Sequence, residues 1–304
     1  MDKDEIINWF KLVDVKGLGP KKIIKLLNIF SDINELFLAS QDDLLKTKIL
    51  KPDMVTEWIQ LKDSPPEKYE KIIVQCHEYN IKIIPLYQKE YPIPLKLLPD
   101  TPLTLFTKGN LNLLDTKKIA IVGSRKSDAN AKLWAFKKSQ EFVKKGITIV
   151  SGGAEGIDFE AHSGALEVDG NTICVLGSGF FNFYPFEHEN LFNEISKRGL
   201  LLSEYPPDFR GGRVSLLARN RITSGISDAI LVVTTTNSGG SMTQLKIAHQ
   251  QGIPIFCPKL ELGFTPIFGI KEAVEKYNVK EIEDIGSVLD EINKPKPTFL
   301  QEKL

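Results

Sequence analysis

From residue 117 to 258 the chain alternates short apolar runs with longer segments of helical periodicity. Ile119–Val122, Ile147–Val150, Thr172–Leu176, Leu200–Leu202, Ala229–Val233 and finally Pro254–Cys257 are rich in β-branched and aliphatic side chains. Such continuous runs predict strands buried on both faces. Helical patterns lie between them, over Asn130–Lys145, Phe159–Leu166 and Met242–Gln250. This alternation predicts an α/β fold with a doubly wound, mostly parallel sheet. Ahead of it, strands are expected at Lys82–Pro85 and Leu103–Lys108, on either side of a proline-rich stretch starting at Tyr91. That stretch reads as an ordered lead-in covering one edge of the sheet. The first sixty residues read as helical, with Ile6, Ile7, Phe10, Leu12 and Val13 on one apolar face. Asp63-Ser64-Pro65-Pro66-Glu67 breaks the pattern and reads as a linker. The expected division is a small all-helical domain at 1–64, the α/β domain at 65–290 and a tail at 291–304.

The strand ends carry the polar chemistry. The first strand of the alternation runs into Gly123-Ser124-Arg125, the second into Ser151-Gly152-Gly153, the third into Gly177-Ser178-Gly179, and the fifth into a loop ending Ser238-Gly239-Gly240-Ser241. Open α/β sheets bind ligands at this carboxyl edge. Backbone N–H groups of glycine loops at helix starts suit anions. Arg125 adds a planar five-donor fork suited to a phosphodiester. Arg210, Arg213, Arg219 and Arg221 crowd one later loop and helix start, with Asn220 between the last two. Together these suit several phosphates in a row; a nucleotide or sugar-phosphate pocket is the alternative, and arginines of the 210–213 loop also fit simple solvation. Asp158 and His162, four apart on one helix, fit either a catalytic pair or a structural hydrogen bond, the second being favoured because no nucleophile or metal partner accompanies them. No Walker loop lysine is present, which argues against ATP hydrolysis.

Near the N-terminus, Val15-Lys16-Gly17-Leu18-Gly19-Pro20-Lys21-Lys22 separates two helical patterns. Two helices joined by a glycine–apolar–glycine turn form a helix-hairpin-helix. Gly17 and Gly19 free backbone N–H groups for a phosphate beside Lys21, or else they only shape the turn of a packing module.

Charge and composition narrow the classes. The 304 residues carry 39 basic and 39 acidic side chains, so net charge weighs mildly against a nucleic-acid binder without excluding a local basic patch. Three scattered cysteines and four histidines give no metal or redox spacing. The start has no signal-peptide pattern and no apolar run is long enough to span a bilayer. A cytoplasmic protein with no metal or cofactor is expected.

In order along the chain stand YPIPL at 91–95, P-x-x-L-x-x-x-G-N from Pro102 to Asn110, GSR at 123–125 and SGGAEGID at 151–158 with AH at 161–162. Then come TICVLGSG at 172–179, YP at 184–185, SEYPP at 203–207, RNR at 219–221 and SGGS at 238–241. This ordered set resembles the DprA/Smf DNA-processing proteins from residue 5 to about 258, including the hairpin at 15–20 within what that family carries as a SAM-like N-terminal domain. The resemblance implies a Rossmann-like core and a non-enzymatic, homodimeric single-stranded DNA binder. Such a protein coats incoming strands and loads the RecA recombinase in natural transformation. It implies a DNA pocket at Gly123, Ser124, Arg125, Ser151, Gly152, Arg213, Arg219, Asn220 and Arg221, with the Ser151–Gly153 amides capping a phosphate.

The chain departs from that pattern. Where the family reads N-F-P-x-R-N-R, Leu216 replaces an aromatic ring on which a base would stack. Thr235-Thr236-Asn237 replace a V-E-A type strand end, the sequence after Pro258 diverges, and the winged helix of many members is not expected in a chain ending at Leu304. These mark a divergent member, and a role in a mobile element or in defence is open. The runner-up is a nucleoside phosphoribohydrolase of the same superfamily. There, Met242 stands for a required glycine and Lys246 for the catalytic glutamate, leaving no base. A nucleotide sensor is the third reading.

Overall fold

Six helices open the chain: α1 (Lys3–Val13), α2 (Pro20–Leu27), α3 (Ile33–Leu38), α4 (Gln41–Lys46), α5 (Pro52–Lys62) and α6 (Glu67–Glu78). β1 (Lys82–Pro85), α7 (Ile93–Lys96) and β2 (Thr104–Gly109) follow. The remainder alternates: β3 (Lys118–Val122), α8 (Ala129–Val143), β4 (Thr148–Ser151), α9 (Ile157–Glu167), β5 (Thr172–Val175), α10 (Glu189–Arg198) and β6 (Leu200–Ser203). Then come α11 (Arg213–Ala218), α12 (Asn220–Gly225), β7 (Ala229–Val232), α13 (Gly240–Gln250), β8 (Ile255–Pro258), α14 (Phe268–Tyr277), β9 (Lys280–Ile282) and α15 (Gly286–Asn293). This computed structural model describes residues 2–30 and 32–294. The described chain forms two compact units, Met1–Tyr91 with Lys96–Leu105, and Pro92–Leu95 with Phe106 onward.

In the first unit Trp9, Leu12, Ile23, Leu26, Leu36, Leu44, Val55 and Trp58 are almost fully buried. Trp9 donates its indole N–H to Thr104 Oγ1 at 2.8 Å, satisfying the polar tip of a core ring. The expected linker at 63–67 is instead a turn inside this unit. Pro66 caps α6, and the buried Lys11 ammonium donates to the carbonyls of Lys62 (2.8 Å) and Ser64 (2.7 Å). α6 then returns to α1, where Tyr69 stacks on Phe10 and donates to Asp14 at 2.9 Å. The boundary therefore falls near residues 91–106 rather than at 64, because prolines end one helix and begin the next without ending the packing.

In the second unit the strand order is β2-β6-β5-β4-β3-β7-β8-β9. All neighbours are parallel except β2, which runs antiparallel to β6 from Phe106↔Ser203 to Gly109↔Leu200. The doubly wound α/β class is as the sequence predicts. β3 lies between β4 (Ile119↔Ile149) and β7 (Ile119↔Ala229), so the chain reverses its direction of travel across the sheet at β3. Pro254–Cys257 is not the last strand: β9 and α15 extend the sheet and core, with Ile282, Ile285, Val288 and Ile292 packing with Ile119, Ile121 and Leu231. α15 also claims the first residues of the expected tail, whose remainder from 295 lies outside the described residues.

α8 and α9 pack through small side chains, Ala131, Ala135, Ala161 and Ala165, and the buried Ser139 hydroxyl donates to Ala161 O at 2.6 Å. Gly164 lies directly against the Phe136 carbonyl, leaving no room for a Cβ. Gly164→Ala is expected to cost about 1–3 kcal/mol by overpacking. Urea denaturation with an unchanged m-value would show it; an unaltered midpoint would mean the helices separate freely.

Candidate functional site

The connections that leave the carboxyl ends of the paired strands β3 and β7 run in opposite directions across the sheet, the place where open α/β sheets form crevices. An open cavity of about 820 Å³ lies there. Its walls come from the loop after β3, the α11–α12 segment, and the loop leading from β7 into α13. Hydroxyls tie two of these walls together. Thr234 Oγ1 accepts from the Ser124 amide at 3.2 Å and lies 2.6 Å from Ser127 Oγ. Ser241 donates to Thr235 Oγ1 at 2.8 Å, fixing the start of α13, whose first turn (Gly240, Ser241, Thr243) lines the cavity. The positive end of that helix dipole favours an anion.

Arg219 is 5% exposed and lines the cavity. Its guanidinium occupies the volume that a Cβ on Gly152 would fill. Asp158, buried beside it, is its electrostatic partner. Burial holds the Asp158 carboxyl above its ordinary value, against the opposing pull of Arg219 and of the backbone N–H groups of Ala154, Gly152 and Gly123. Burial in turn pulls Arg219 down against the opposing pull of Asp158. Arg219 Nε has no hydrogen-bond partner. Arg125 and Lys126 are exposed on the rim, with Arg125 5.8 Å from the centre of the Tyr184 ring. Arg213 opens α11. Four cations thus line one cavity with a single carboxylate, Asp158, among the described lining residues.

The sequence of residues 82–293 matches the DNA recombination-mediator protein A family. The chain belongs to this family. It is 36% identical to DNA processing protein DprA of Bacillus subtilis over 230 residues, 74% of this chain and 77% of that one. Protein Smf of Escherichia coli is 34% identical over 250 residues, 82% of this chain but only 65% of the relative. The fold superposes on DprA from Streptococcus pneumoniae with a TM-score of 0.79 at 27% identity, covering 95% of this chain and 99% of that one. DNA processing protein A from Helicobacter pylori, which has a described single-stranded DNA binding mode, gives 0.60 at 31% identity over 74% of this chain and 97% of its own.

Among the residues singled out in the sequence of this family member, Gly123, Ser124, Arg125, Arg213, Arg219, Asn220, Ser238, Gly239 and Gly240 all line the cavity. Six others lie behind it. Ser151 is buried and donates to Ile121 O at 2.7 Å. Gly152 makes room for Arg219, and its amide serves Asp158 rather than a phosphate. Gly153 packs under Phe192, and its carbonyl lies 3.0 Å from His188 Nδ1. Gly177 O accepts from Ser215 of α11 at 2.7 Å, and Ser178 O accepts from Ser203 at the end of β6 at 2.8 Å. Arg221 forms a two-pronged pair with Glu204 at 2.7 and 2.6 Å. Asp158 and His162 form neither pair considered from sequence: Asp158 faces Arg219, and His162 Nδ1 lies 2.7 Å from Thr172 Oγ1. Lys126, Tyr184 and Thr236 line the cavity unanticipated. Lys126 directly follows the GSR motif, a signal that was available; Tyr184 arrives from a distant loop.

In the first unit Gly17 takes φ +72° and Gly19 caps α2, giving the expected hairpin turn. The Lys16 amide there donates to Glu57 at 3.1 Å, so a carboxylate of the chain already meets this turn. Lys21 is exposed.

Arg221 and Glu204 are 12% and 14% exposed. Arg221→Ala strands a buried carboxylate and is expected to cost about 3–5 kcal/mol in denaturant unfolding. Burial also holds His162 down at about 3. Its unfolded value is about 6.5, so its contribution is present above that pH and is lost as pH falls towards 3. Between pH 7 and 5 the protein should lose about 2 kcal/mol that a His162→Gln variant does not lose; parallel pH profiles would rule this out.

Proposed function

We propose that this family member binds single-stranded DNA along the carboxyl edge of its sheet, with Arg125, Lys126 and Arg213 meeting phosphates and the buried Arg219 adding its charge from behind them. The observation that carries this reading is the concentration of those four cations, with the first turn of α13, on one open cavity. The single-stranded DNA binding mode of the Helicobacter pylori relative supports the choice of ligand. Membership of the recombination-mediator family supports the larger role: a homodimer in the cytoplasm that protects incoming strands and hands them to a RecA-type recombinase during natural transformation.

The protein acts here by binding rather than by catalysis. Lys246 is exposed on α13, where a phosphoribohydrolase needs a carboxylate, and Met242 is buried in the helix's first turns. Asp158 is engaged by backbone amides and by Arg219, an arrangement that holds a cation in place and leaves no free base for water.

Fluorescence anisotropy with labelled oligo-dT of increasing length, duplex DNA and free nucleotides, at several salt concentrations, tests the reading. Affinity should rise with strand length and fall with salt. Arg125→Ala should weaken binding and reduce the log–log salt slope by about 0.7, the value of one single-strand phosphate contact. Tight mononucleotide binding without strand binding would replace the proposal with a nucleotide sensor or hydrolase.

A further inference from the structure

Tyr184 is the one aromatic side chain among the described residues lining the cavity. It is 47% exposed, and Arg125 lies over the ring. The loop that carries it is anchored at several points. The Phe181 amide donates to Pro207 O and the Asn182 side chain to Asp208 O, each at 2.9 Å. Phe183 packs on Phe192 with ring centres 4.9 Å apart, and His188 reaches Gly153 O. An exposed tyrosine on a loop fastened this closely is a preset surface, one that loses little freedom when something stacks on it. Leu216 and Leu217 add apolar area to the same cavity.

A nucleotide places a flat base beside its own phosphate. The cavity places a flat ring beside a guanidinium, with further cations leading away from it. Resting on the single-stranded DNA reading above, we propose that Tyr184 is a base-stacking platform and that Arg125 holds the phosphate belonging to the stacked nucleotide. Stacking is tolerant of base identity, since every base has a π-face. The site therefore engages bases without reading their edges, and it discriminates against strands that lack bases.

The test compares oligo-dT with an abasic phosphodiester strand of equal length, bound to the wild-type protein, Tyr184→Ala and Tyr184→Phe, across a salt series. The wild type is expected to prefer oligo-dT about tenfold. Tyr184→Ala should lose that preference by weakening oligo-dT binding alone, with its salt slope unchanged, and Tyr184→Phe should keep it. Equal oligo-dT affinity in Tyr184→Ala and wild type would overturn the proposal. So would an equal loss on both strands with a shallower slope, which would mean that the ring acts only by steadying Arg125. A wild type that binds both strands equally overturns it too, while leaving single-strand binding intact. A wild type that binds neither strand would instead bring down the DNA-binding reading itself.

Discussion

The site rests on two opposite charges buried within electrostatic reach of each other, Arg219 and Asp158. A guanidinium taken out of water is costly unless an opposite charge and fixed dipoles replace its hydration. Asp158 supplies the charge, and amides from the loops after β3 and β4 hold Asp158 in turn. Four pieces of chain meet around these two charges: both loops, the start of α9, and the α11–α12 junction. Three glycines make the approach possible. A Cβ on Gly152 would displace Arg219, one on Gly123 would strike Ile157, and one on Gly156, at φ +85°, would strike the backbone of Ser124 and Arg125.

The second constraint is topological. The reversal of strand order at β3 brings the segments following β3 and β7 to one cavity, and the hydroxyl contacts through Thr234 link them. Into it come the first turn of α13 from one side and α11 from another. Gly177 and Ser178 do not touch the cavity, yet their carbonyls anchor Ser215 and Ser203 beneath it. Through Ser215, Gly177 supports the helix that opens with Arg213.

Strands β3 to β8 were legible because each is buried on both faces and so reads as an unbroken apolar run. β9 was not: it is three residues long, begins Lys280-Glu281 and exposes both, so no periodicity marks it. The glycine loops were legible as special but not as to why. A glycine that frees an amide for phosphate and a glycine that lets a side chain approach look identical in sequence. Gly152 proves to be the second kind. The arginines show a similar limit. Arg219 and Arg221 are two apart on helical backbone, a spacing that sends side chains to different faces. That rule separates them, but it does not say which one meets the cavity; only the position of Glu204, from the end of β6, decides that.

The balanced net charge is compatible with a polyanion site because of distance. At physiological salt, exposed charges are felt over about 8 Å. Some of the acidic side chains that balance the overall total are held in pairs elsewhere, such as Asp14 with Lys68, Glu141 with Lys138 and Glu283 with Lys259. Within the cavity the balance is four cations to one carboxylate, and that carboxylate lies buried beside Arg219. A polyanion entering the cavity would therefore meet the local field of Arg125, Lys126 and Arg213. Whole-chain charge argues about solubility and non-specific binding; recognition is decided by which side chains share one crevice, and here the fold collects cations from positions 125 to 219 around a single cavity.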